Sequence, residues 1–282
     1  MCIRDRWWET APWVAALSPS KGAKAYFMQD YGAPGQELED VVPTWSLPLH
    51  LITISRWLAN LIVEHQGDVP ISLVPNGVDL DLFHAPTRGK QAHPTVGFVY
   101  RESWAKGADI VLEAFRLARR SLPDLKLRTY GPMQPAGADG LPEGMTFHHR
   151  PPDEKLAGIY ASCDAWLFAS RREGFGLPIL EAMACRTPVI ATPAGAAPEL
   201  LEDRGGMLVK SEDPADMARA IERIASLSED DWRVMSDVAR ATAARHTWNG
   251  ATDLFEAALD EAIARSQACD GQAVDHRRRL SA

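Results

Sequence analysis

The sequence predicts a doubly wound, Rossmann-like α/β domain over residues 91–246. From residue 94 onward, short apolar runs alternate with segments of helical periodicity. This alternation is typical of parallel strands that are joined by helices through right-handed crossovers. Hydrophobic residues make up 46% and charged residues 24% of the 282-residue chain, which is the composition of a globular protein. Such sheets bind ligands at the carboxyl ends of their strands, so the loops after the strands are where chemistry is expected.

Each element of this domain has a local signal. The apolar run TVGFVY predicts the first strand, Gly131-Pro132 ends the second, and Asp153 caps a helix after two prolines. The predicted strands are Thr95–Tyr100, Lys126–Tyr130, Met145–His149, Ala165–Ala169, Pro188–Thr192 and Met207–Val209. The helices predicted from residue 106 to the end are Lys106–Ser121, Asp153–Ser162, Leu177–Cys185, Pro198–Glu202, Pro214–Ser226, Glu229–His246 and Trp248–Arg265.

The first 90 residues contain fewer elements than a complete α/β domain of ordinary size. We interpret residues 1–90 as the later part of an N-terminal α/β domain followed by a polar linker, and we expect the beginning of that domain to be missing. Residues 247–266 are expected to form one further helix, and residues 267–282 a disordered tail. The elements predicted before residue 90 are the strands Lys24–Met28, Leu51–Ile54 and Ile71–Val74 and the helix Arg56–His65.

Charge and cysteine usage exclude several classes of protein. Lys and Arg number 30 and Asp and Glu 38, so the net charge is −8, without the basic footprint of a nucleic-acid-binding protein. The four cysteines lack metal-binding spacing, and we expect them to be buried thiols in a reducing compartment. No apolar run reaches the roughly 18 residues needed to span a bilayer, and no signal peptide is recognisable. These cysteines are Cys2, Cys163, Cys185 and Cys269.

The strongest chemical signal is the segment EGFGLPILE, which runs from Glu173 to Glu181. It follows a predicted strand and enters a helix near Leu177, so it lies at the ligand-binding edge of the sheet. Gly174 and Gly176 allow backbone N–H groups to approach a ligand closely, and the helix N-terminus favours an anion. A phosphate-binding loop with carboxylates at both ends suits a molecule with a phosphate centre and sugar ends.

A second signal is the pair of cations Arg101 and Lys106, the latter followed by Gly107. They follow the first strand of the domain and open the next helix, so both lie at the same sheet edge. An Arg supplies a bidentate fork and a Lys a point charge, a pairing that suits a diphosphate. In an acidic chain, two cations beside helix N-termini indicate an anionic ligand.

Taken together, these motifs resemble the family 4 retaining glycosyltransferases of GT-B fold. The resemblance covers roughly residues 24–265, and the motifs match in order and spacing. They are PNGVD at residues 75–79, Arg101 with Lys106-Gly107, EGFGLPILEAMAC from Glu173, TPVIAT at residues 187–192 and APEL at residues 197–200. The resemblance implies that residues 91–246 bind a nucleotide-sugar donor, that residues 1–90 belong to the acceptor side, and that the helix after Trp248 crosses back to the first domain.

The resemblance also implies roles for individual residues. Arg101 and Lys106 would hold the donor diphosphate, Glu173 would accept hydrogen bonds from the sugar hydroxyls, and Glu181 from the ribose. The residues implied in catalysis are Arg101, Lys106 and Glu173. The residues implied in donor binding are Arg101, Lys106, Glu173, Gly174, Phe175, Gly176, Leu177 and Glu181.

The resulting expectation is a metal-independent glycosyltransferase without a cofactor. It would transfer sugar from a nucleotide diphosphate sugar to a glycan or lipid-linked acceptor, in the cytoplasm or peripherally at the inner membrane face, as in polysaccharide biosynthesis. The alternative is a truncated nucleotide-sugar-binding module without catalytic activity. A GT-B sugar epimerase is a third possibility that the loop from Glu173 to Glu181 disfavours.

Two departures from the family pattern matter. Arg186 stands where the family usually has Gly at the end of a helix, which predicts local strain because Gly adopts positive φ easily and Arg does not. The glycine-rich first loop and the acceptor-cleft His have no counterpart, since His50 and His65 do not lie in such a motif.

Other interpretations of these residues are less favoured. Glu173 and Glu181 could be the paired carboxylates of a glycoside hydrolase, but that chemistry needs no paired cations at a Rossmann edge. They could also be merely structural carboxylates. The D-x-D at Asp79 and Asp81 resembles a metal motif of another glycosyltransferase fold, but three residues recur by chance and these follow a turn.

Overall fold

The computed structural model describes residues 2–5, 8–30, 38–133 and 142–280, and side chains within residues 8–268 of those ranges. The chain divides into two compact units. The first contains Met1–Pro75 and Asn249–Ala282, and the second contains Asn76–Trp248. The division thus falls at residue 75 rather than at residue 90 as the sequence suggests.

The first unit contains a parallel sheet in the order β1-β2-β3-β4. Its strands occupy consecutive positions, which is the order expected when each strand is followed by a crossover to its neighbour. The strands are β1 (Cys2–Asp5), β2 (Ala23–Met28), β3 (His50–Thr53) and β4 (Ile71–Leu73), and the helices between them are α1 (Ala11–Ala16), α2 (Leu38–Val41) and α3 (Arg56–Gln66). Strand β1 and helices α1 and α2 are not in the sequence prediction, because all three are short and weakly patterned.

The second unit contains a six-stranded parallel sheet in the order β10-β9-β8-β5-β6-β7. Its strands are β5 (Thr95–Val99), β6 (Lys126–Gly131), β7 (Met145–His149), β8 (Ala165–Phe168), β9 (Val189–Ala191) and β10 (Gly206–Leu208). Its helices are α4 (Ala108–Ala118), α5 (Asp153–Ala161), α6 (Leu177–Ala184), α7 (Ala197–Leu200), α8 (Pro214–Ser226) and α9 (Glu229–Ala244). Every predicted strand of this domain is present.

This strand order has a direct consequence for ligand binding. Numbered from β5 in chain order, it is the 3-2-1-4-5-6 arrangement of the Rossmann fold, and the direction of winding reverses between β5 and β8. The crevice outside the carboxyl ends of these two strands is the place where such sheets bind ligands. The predicted cations follow β5 and the glycine-rich loop follows β8.

The polar segment before β5 is tied to the second unit. Asp164 accepts hydrogen bonds from the backbone N–H groups of Gln91 at 2.7 Å and Thr95 at 2.8 Å. The Arg88 guanidinium donates to the carbonyl oxygen of Cys163 and lies 4.7 Å from the ring centre of Trp232. Because of these contacts, the polar segment before β5 is part of the second unit, although its composition predicts a linker.

The last helix, α10 (Trp248–Leu280), belongs from Asn249 onward to the first unit. Phe255 and Ala258 pack with Ala25, Ile52 and Val74 of the first sheet. The sequence predicts that this helix ends at residue 266 and that a disordered tail follows, whereas the helix continues to Leu280. No proline interrupts residues 266–280, and the helix continues through Gly271 although glycine can end a helix.

Candidate functional site

The loops that follow β5 and β8 meet at the carboxyl edge of the second unit's sheet. The backbone N–H of Arg171 donates to the carbonyl oxygen of Ala105 at 2.9 Å. Gly107 has φ +64°, and a Cβ atom there would lie 2.0 Å from the carbonyl oxygen of Ala169. A side chain at residue 107 would therefore separate the two loops, which explains the need for glycine.

Lys106 and Glu173 form an ion pair between the two loops. The Nζ atom of Lys106 lies 2.7 Å from Oε2 of Glu173, and their side chains are 34% and 19% exposed. Ser170 donates a further hydrogen bond to the same carboxylate oxygen at 3.3 Å. The two residues that the resemblance assigns to the diphosphate and the sugar thus lie in direct contact.

Arg101 lies at the same edge but outside this ion pair. Its side chain is exposed, and it makes no ion pair with another residue in the described parts of the chain. Its charge acts on the hydroxyl of Tyr130, where it opposes part of the rise in pKa that burial causes. The guanidinium is therefore available to an anion that enters from solvent.

The loop after β8 delivers its backbone to the start of α6. Gly174, Phe175 and Gly176 are buried, and Gly176 precedes the helix with φ +101° and no side-chain cap. The carbonyl oxygen of Phe175 accepts a hydrogen bond from the N–H of Ala196 at 2.9 Å. This bond ties the loop to the segment that precedes α7. Leu177 begins the helix, so the positive end of the helix dipole is present there, although Pro178 has no N–H and the N–H of Ile179 donates to the carbonyl oxygen of Gly176 at 2.9 Å.

Glu181, one turn into α6, belongs to a part-buried chain of hydrogen bonds. Its Oε2 accepts a hydrogen bond from the hydroxyl of Tyr160 at 2.5 Å, and the Tyr160 hydroxyl lies 2.7 Å from that of Tyr130. Burial raises the pKa of Glu181, the hydrogen bond from Tyr160 lowers it, and the charge of Asp153 raises it further. The sequence prediction included Glu181 but neither tyrosine, because β6, α5 and α6 come together only in the folded chain.

Arg171 organises the site and was also not singled out by the sequence. Its guanidinium is 8% exposed, makes two hydrogen bonds to Asp109 at 2.9 and 2.6 Å, and pairs with Glu212. It donates to the carbonyl oxygen of Trp104 at 2.7 Å and lies 5.1 Å from the centre of that indole ring. Arg171 thus joins the loop after β8 to the loop after β5. Its position two residues before the predicted ligand loop, which begins at Glu173, was the available signal.

The D-x-D at Asp79 and Asp81 has a role in local structure. Oδ1 of Asp79 accepts hydrogen bonds from the N–H groups of Asp81 at 2.9 Å and Leu82 at 3.1 Å, so the D-x-D forms a turn. Within the described residues, no group of three or more His, Cys, Asp or Glu side chains could hold a metal ion. Nor does any described helix have the length and apolar character required to cross a membrane.

Two of the predicted buried thiols can be checked. Cys163 and Cys185 are buried and unpaired, and burial raises the pKa of each to about 12. Both are therefore packing residues, as predicted. The side chains of Cys2 and Cys269 lie outside the described residues.

Arg186 has the conformation that the sequence predicts to be strained. Its φ is +59° at the end of α6. The side chain pairs with Asp237, and the Arg186 carbonyl oxygen accepts a hydrogen bond from Ser236 at 2.8 Å. These contacts with α9 compensate for a backbone angle that a non-glycine residue disfavours.

Comparison with known proteins agrees with this architecture. The family model described as "Glycosyl transferases group 1" matches residues 93–226. The D-inositol 3-phosphate glycosyltransferase of Corynebacterium jeikeium is 30% identical over 92% of this chain and 68% of that protein. The MMP alpha-(1->4)-mannosyltransferase of Mycolicibacterium hassiacum is 28% identical over 78% of this chain and 56% of that protein.

Solved structures share the fold. Anabaena HepE, solved in complex with UDP-glucose, has a TM-score of 0.70 at 21% identity over 95% of this chain and 78% of that chain. At this level of identity the likeness concerns the fold alone. The fold is that of the GT-B glycosyltransferases. The chain belongs to the group 1 glycosyltransferase family, and it spans 68% and 56% of the lengths of the two relatives above.

Proposed function

We propose that this chain belongs to a retaining glycosyltransferase that transfers a sugar from a nucleoside diphosphate sugar to a glycan or lipid-linked acceptor. The observation that carries the proposal is the convergence at the switch point of the sheet. There, an exposed arginine, a lysine–glutamate pair and the uncapped start of α6 share one edge. A donor with an anionic centre and hydroxyl-rich ends complements that arrangement.

The diphosphate is proposed to lie between the two cations and the helix start. The ammonium group of Lys106 has three N–H donors. One is directed to Glu173, and the others have no partner among the described residues, so they can bind phosphate oxygens. Arg101 adds a bidentate fork from the end of β5. As the glycosidic bond breaks, the leaving diphosphate gains charge, and fixed positive groups stabilise that charge without reorganisation. The proposal therefore requires no metal ion and no cofactor.

Glu173 is proposed to bind the sugar and Glu181 the ribose. Glu173 lies at the start of the loop and already has Lys106 beside it, so sugar and diphosphate would be held by one connected unit. Glu181 lies eight residues further on, inside α6.

Retention is proposed to follow a reaction on one face of the sugar. The bond from the anomeric carbon to the phosphate oxygen breaks, and the acceptor oxygen forms its bond on the same face. The acceptor hydroxyl transfers its proton to an oxygen of the departing phosphate, so no separate protein base is needed. The acceptor is proposed to be reached on the cytoplasmic side of a membrane.

Binding and transfer can be tested separately. The purified chain would be titrated calorimetrically with UDP, GDP and ADP, and thermal shifts recorded with the corresponding sugars. A donor at 100 times its Kd would stabilise the protein by about 2.7 kcal/mol. Transfer would be followed by the anomeric proton signals of the product, with and without EDTA. Absence of binding by all three diphosphates contradicts the proposal, and binding without transfer favours the binding module.

A further inference from the structure

The carboxylate of Glu181 is held by residues from two other elements. Tyr160 on α5 donates to Oε2 of Glu181 at 2.5 Å. The hydroxyl of Tyr130, near the end of β6, lies 2.7 Å from the Tyr160 hydroxyl. Three elements of the second unit thus converge on one carboxylate at the ligand-binding edge.

The number of protons available determines which hydroxyl donates and which accepts in the hydrogen bonds that link Tyr130, Tyr160 and Glu181. A tyrosine hydroxyl has a single proton, and an ionised carboxylate can only accept hydrogen bonds. Because Tyr160 gives its proton to Glu181, its oxygen must accept the proton of Tyr130. Both hydroxyl protons are therefore directed toward Glu181, and two dipoles stabilise its negative charge.

The tyrosine rings are fixed by aromatic packing. Tyr160 is fully buried, and its ring centre lies 4.3 Å from that of Trp166 and 6.0 Å from that of Phe83. The ring centre of Tyr130 lies 6.0 Å from that of Tyr160. Because rings packed on several sides have little freedom to rotate, the Tyr160 hydroxyl occupies one position relative to α6.

The other oxygen of Glu181 has a different environment. Within the described residues, Oε1 accepts no hydrogen bond, and it is not among the buried unpartnered atoms. We propose that Tyr160, supported by Tyr130, is a positioning residue for the donor: it occupies Oε2 of Glu181 and leaves Oε1 to accept the ribose hydroxyls. This inference rests on the proposed function, in which Glu181 binds the ribose.

The charges around Glu181 agree with this role. Burial raises the pKa of Glu181, as does the charge of Asp153, while the Tyr160 hydroxyl lowers it. Burial also raises the pKa values of both tyrosines, so they remain protonated donors at neutral pH. Without the Tyr160 hydroxyl, the pKa of Glu181 rises, and a protonated Glu181 accepts poorly. The groups that interact electrostatically with the hydroxyl chain and Glu181 are Asp153 and Tyr160 on α5, Tyr130 on β6, Cys185 directly after α6 and Arg101 after β5.

The experiment is a calorimetric titration of the whole chain between pH 5.5 and 8.5. The probes are UDP, GDP and ADP, followed by the 2′,3′-dideoxy form of the one that binds most tightly. Tyr160→Phe is expected to weaken the ribonucleotide about tenfold and Tyr130→Phe about threefold. The dideoxy form is expected to bind Tyr160→Phe and wild type equally. Affinity for the ribonucleotide is expected to fall on acidification at a higher pH in Tyr160→Phe than in wild type.

Two controls separate positioning from damage to the fold. Tyr100→Phe removes a hydroxyl that donates to Glu102 at 3.4 Å and is expected to leave affinity unchanged. If Tyr160 acts through Glu181, the double variant Tyr160→Phe/Glu181→Gln binds no more weakly than Glu181→Gln alone. The inference is overturned if the affinity losses of Tyr160→Phe and Glu181→Gln add up in the double variant. It is also overturned if Tyr160→Phe weakens the dideoxy probe as much as the ribonucleotide. In both cases the proposed function stands. Failure of wild type to bind any of the three diphosphates overturns the proposed function, and the inference fails with it.

Discussion

Lys106 and Glu173, which are 67 residues apart in the chain, meet with 2.7 Å between Nζ and Oε2. The contact exists because β5 and β8 are neighbours in the sheet although two strands separate them in sequence. It places the residue proposed for the diphosphate against the residue proposed for the sugar. A ligand that binds one of them therefore changes the environment of the other.

The first prediction concerns the two cations. Arg101→Ala and Lys106→Ala should each weaken nucleoside diphosphate binding by about 1.5–3 kcal/mol, the range for hydrogen bonds to charged groups. The melting temperature without ligand should change little, because Arg101 is exposed and a partly exposed ion pair contributes about 1 kcal/mol or less. Calorimetry and thermal melts measure the two effects. Unchanged affinity in both variants would contradict the proposed diphosphate site.

The second prediction separates the two glutamates. Glu173→Ala should leave binding of the free nucleoside diphosphate nearly unchanged and weaken the nucleotide sugar, because its proposed partner is the hexose. Glu181→Gln should weaken both ligands, because its proposed partner is the ribose. Each variant is titrated with both ligands, and equal losses for the two variants would refute the assignment of roles.

The third prediction concerns Arg171. Arg171→Ala should lower the free energy of unfolding by about 1–3 kcal/mol, because it removes bonds to Asp109, Glu212 and the Trp104 carbonyl. Diphosphate affinity should fall too, because the loop after β5 loses its tie to the loop after β8. Arg171→Lys should rescue little, since lysine lacks the bidentate fork. Chemical denaturation and calorimetry provide the measurements.

The matched control for Arg171 is Arg116→Ala. Arg116 pairs with Glu113 on the exposed face of α4, and its removal should leave the free energy of unfolding almost unchanged, because water screens an exposed ion pair. If Arg171→Ala were as mild as this control in both measurements, Arg171 would not organise the site.

The fourth prediction uses the backbone of Arg186. Its φ of +59° suits glycine, so Arg186→Gly should be more stable than Arg186→Ala by about 1 kcal/mol. Both variants lose the ion pair with Asp237, so their difference isolates the backbone. Urea denaturation of the two variants gives the value, and an alanine variant at least as stable as the glycine variant would argue against strain.

The fifth prediction is a pH dependence. Hydrogen bonds from Arg171 lower the pKa of Asp109, so the carboxylate contributes stability above its unfolded pKa. That contribution is lost as pH falls through the lowered, folded value. Asp109→Asn should therefore lose less stability than wild type when the pH is taken from 5 to 3. Denaturation curves of both proteins at the two pH values measure these losses of unfolding free energy. Equal losses in wild type and Asp109→Asn would show that this ion pair does not stabilise the fold.

The sequence alone identified the parallel α/β domain and the two loops that carry its chemistry. Both results depend on local patterns: apolar runs separated by helices, glycines before a helix, and cations after a strand. The strain at Arg186 was also predicted, from the resemblance to a family that usually has a helix-ending Gly at this position. The burial of Cys163 and Cys185 was predicted from residue type, because a free cysteine behaves as a small apolar side chain.

The tertiary structure decided which of these residues meet. Only the strand order brings Lys106 to Glu173, and only the packing of α5 against α6 brings Tyr160 to Glu181. Arg171 gave no signal of its own, because its partners Asp109 and Glu212 are distant in sequence. Such contacts depend on long-range pairing of strands and helices, and local periodicity contains no information about it. The local sequence thus determines which groups are available, and the order of the strands determines which of them form a site.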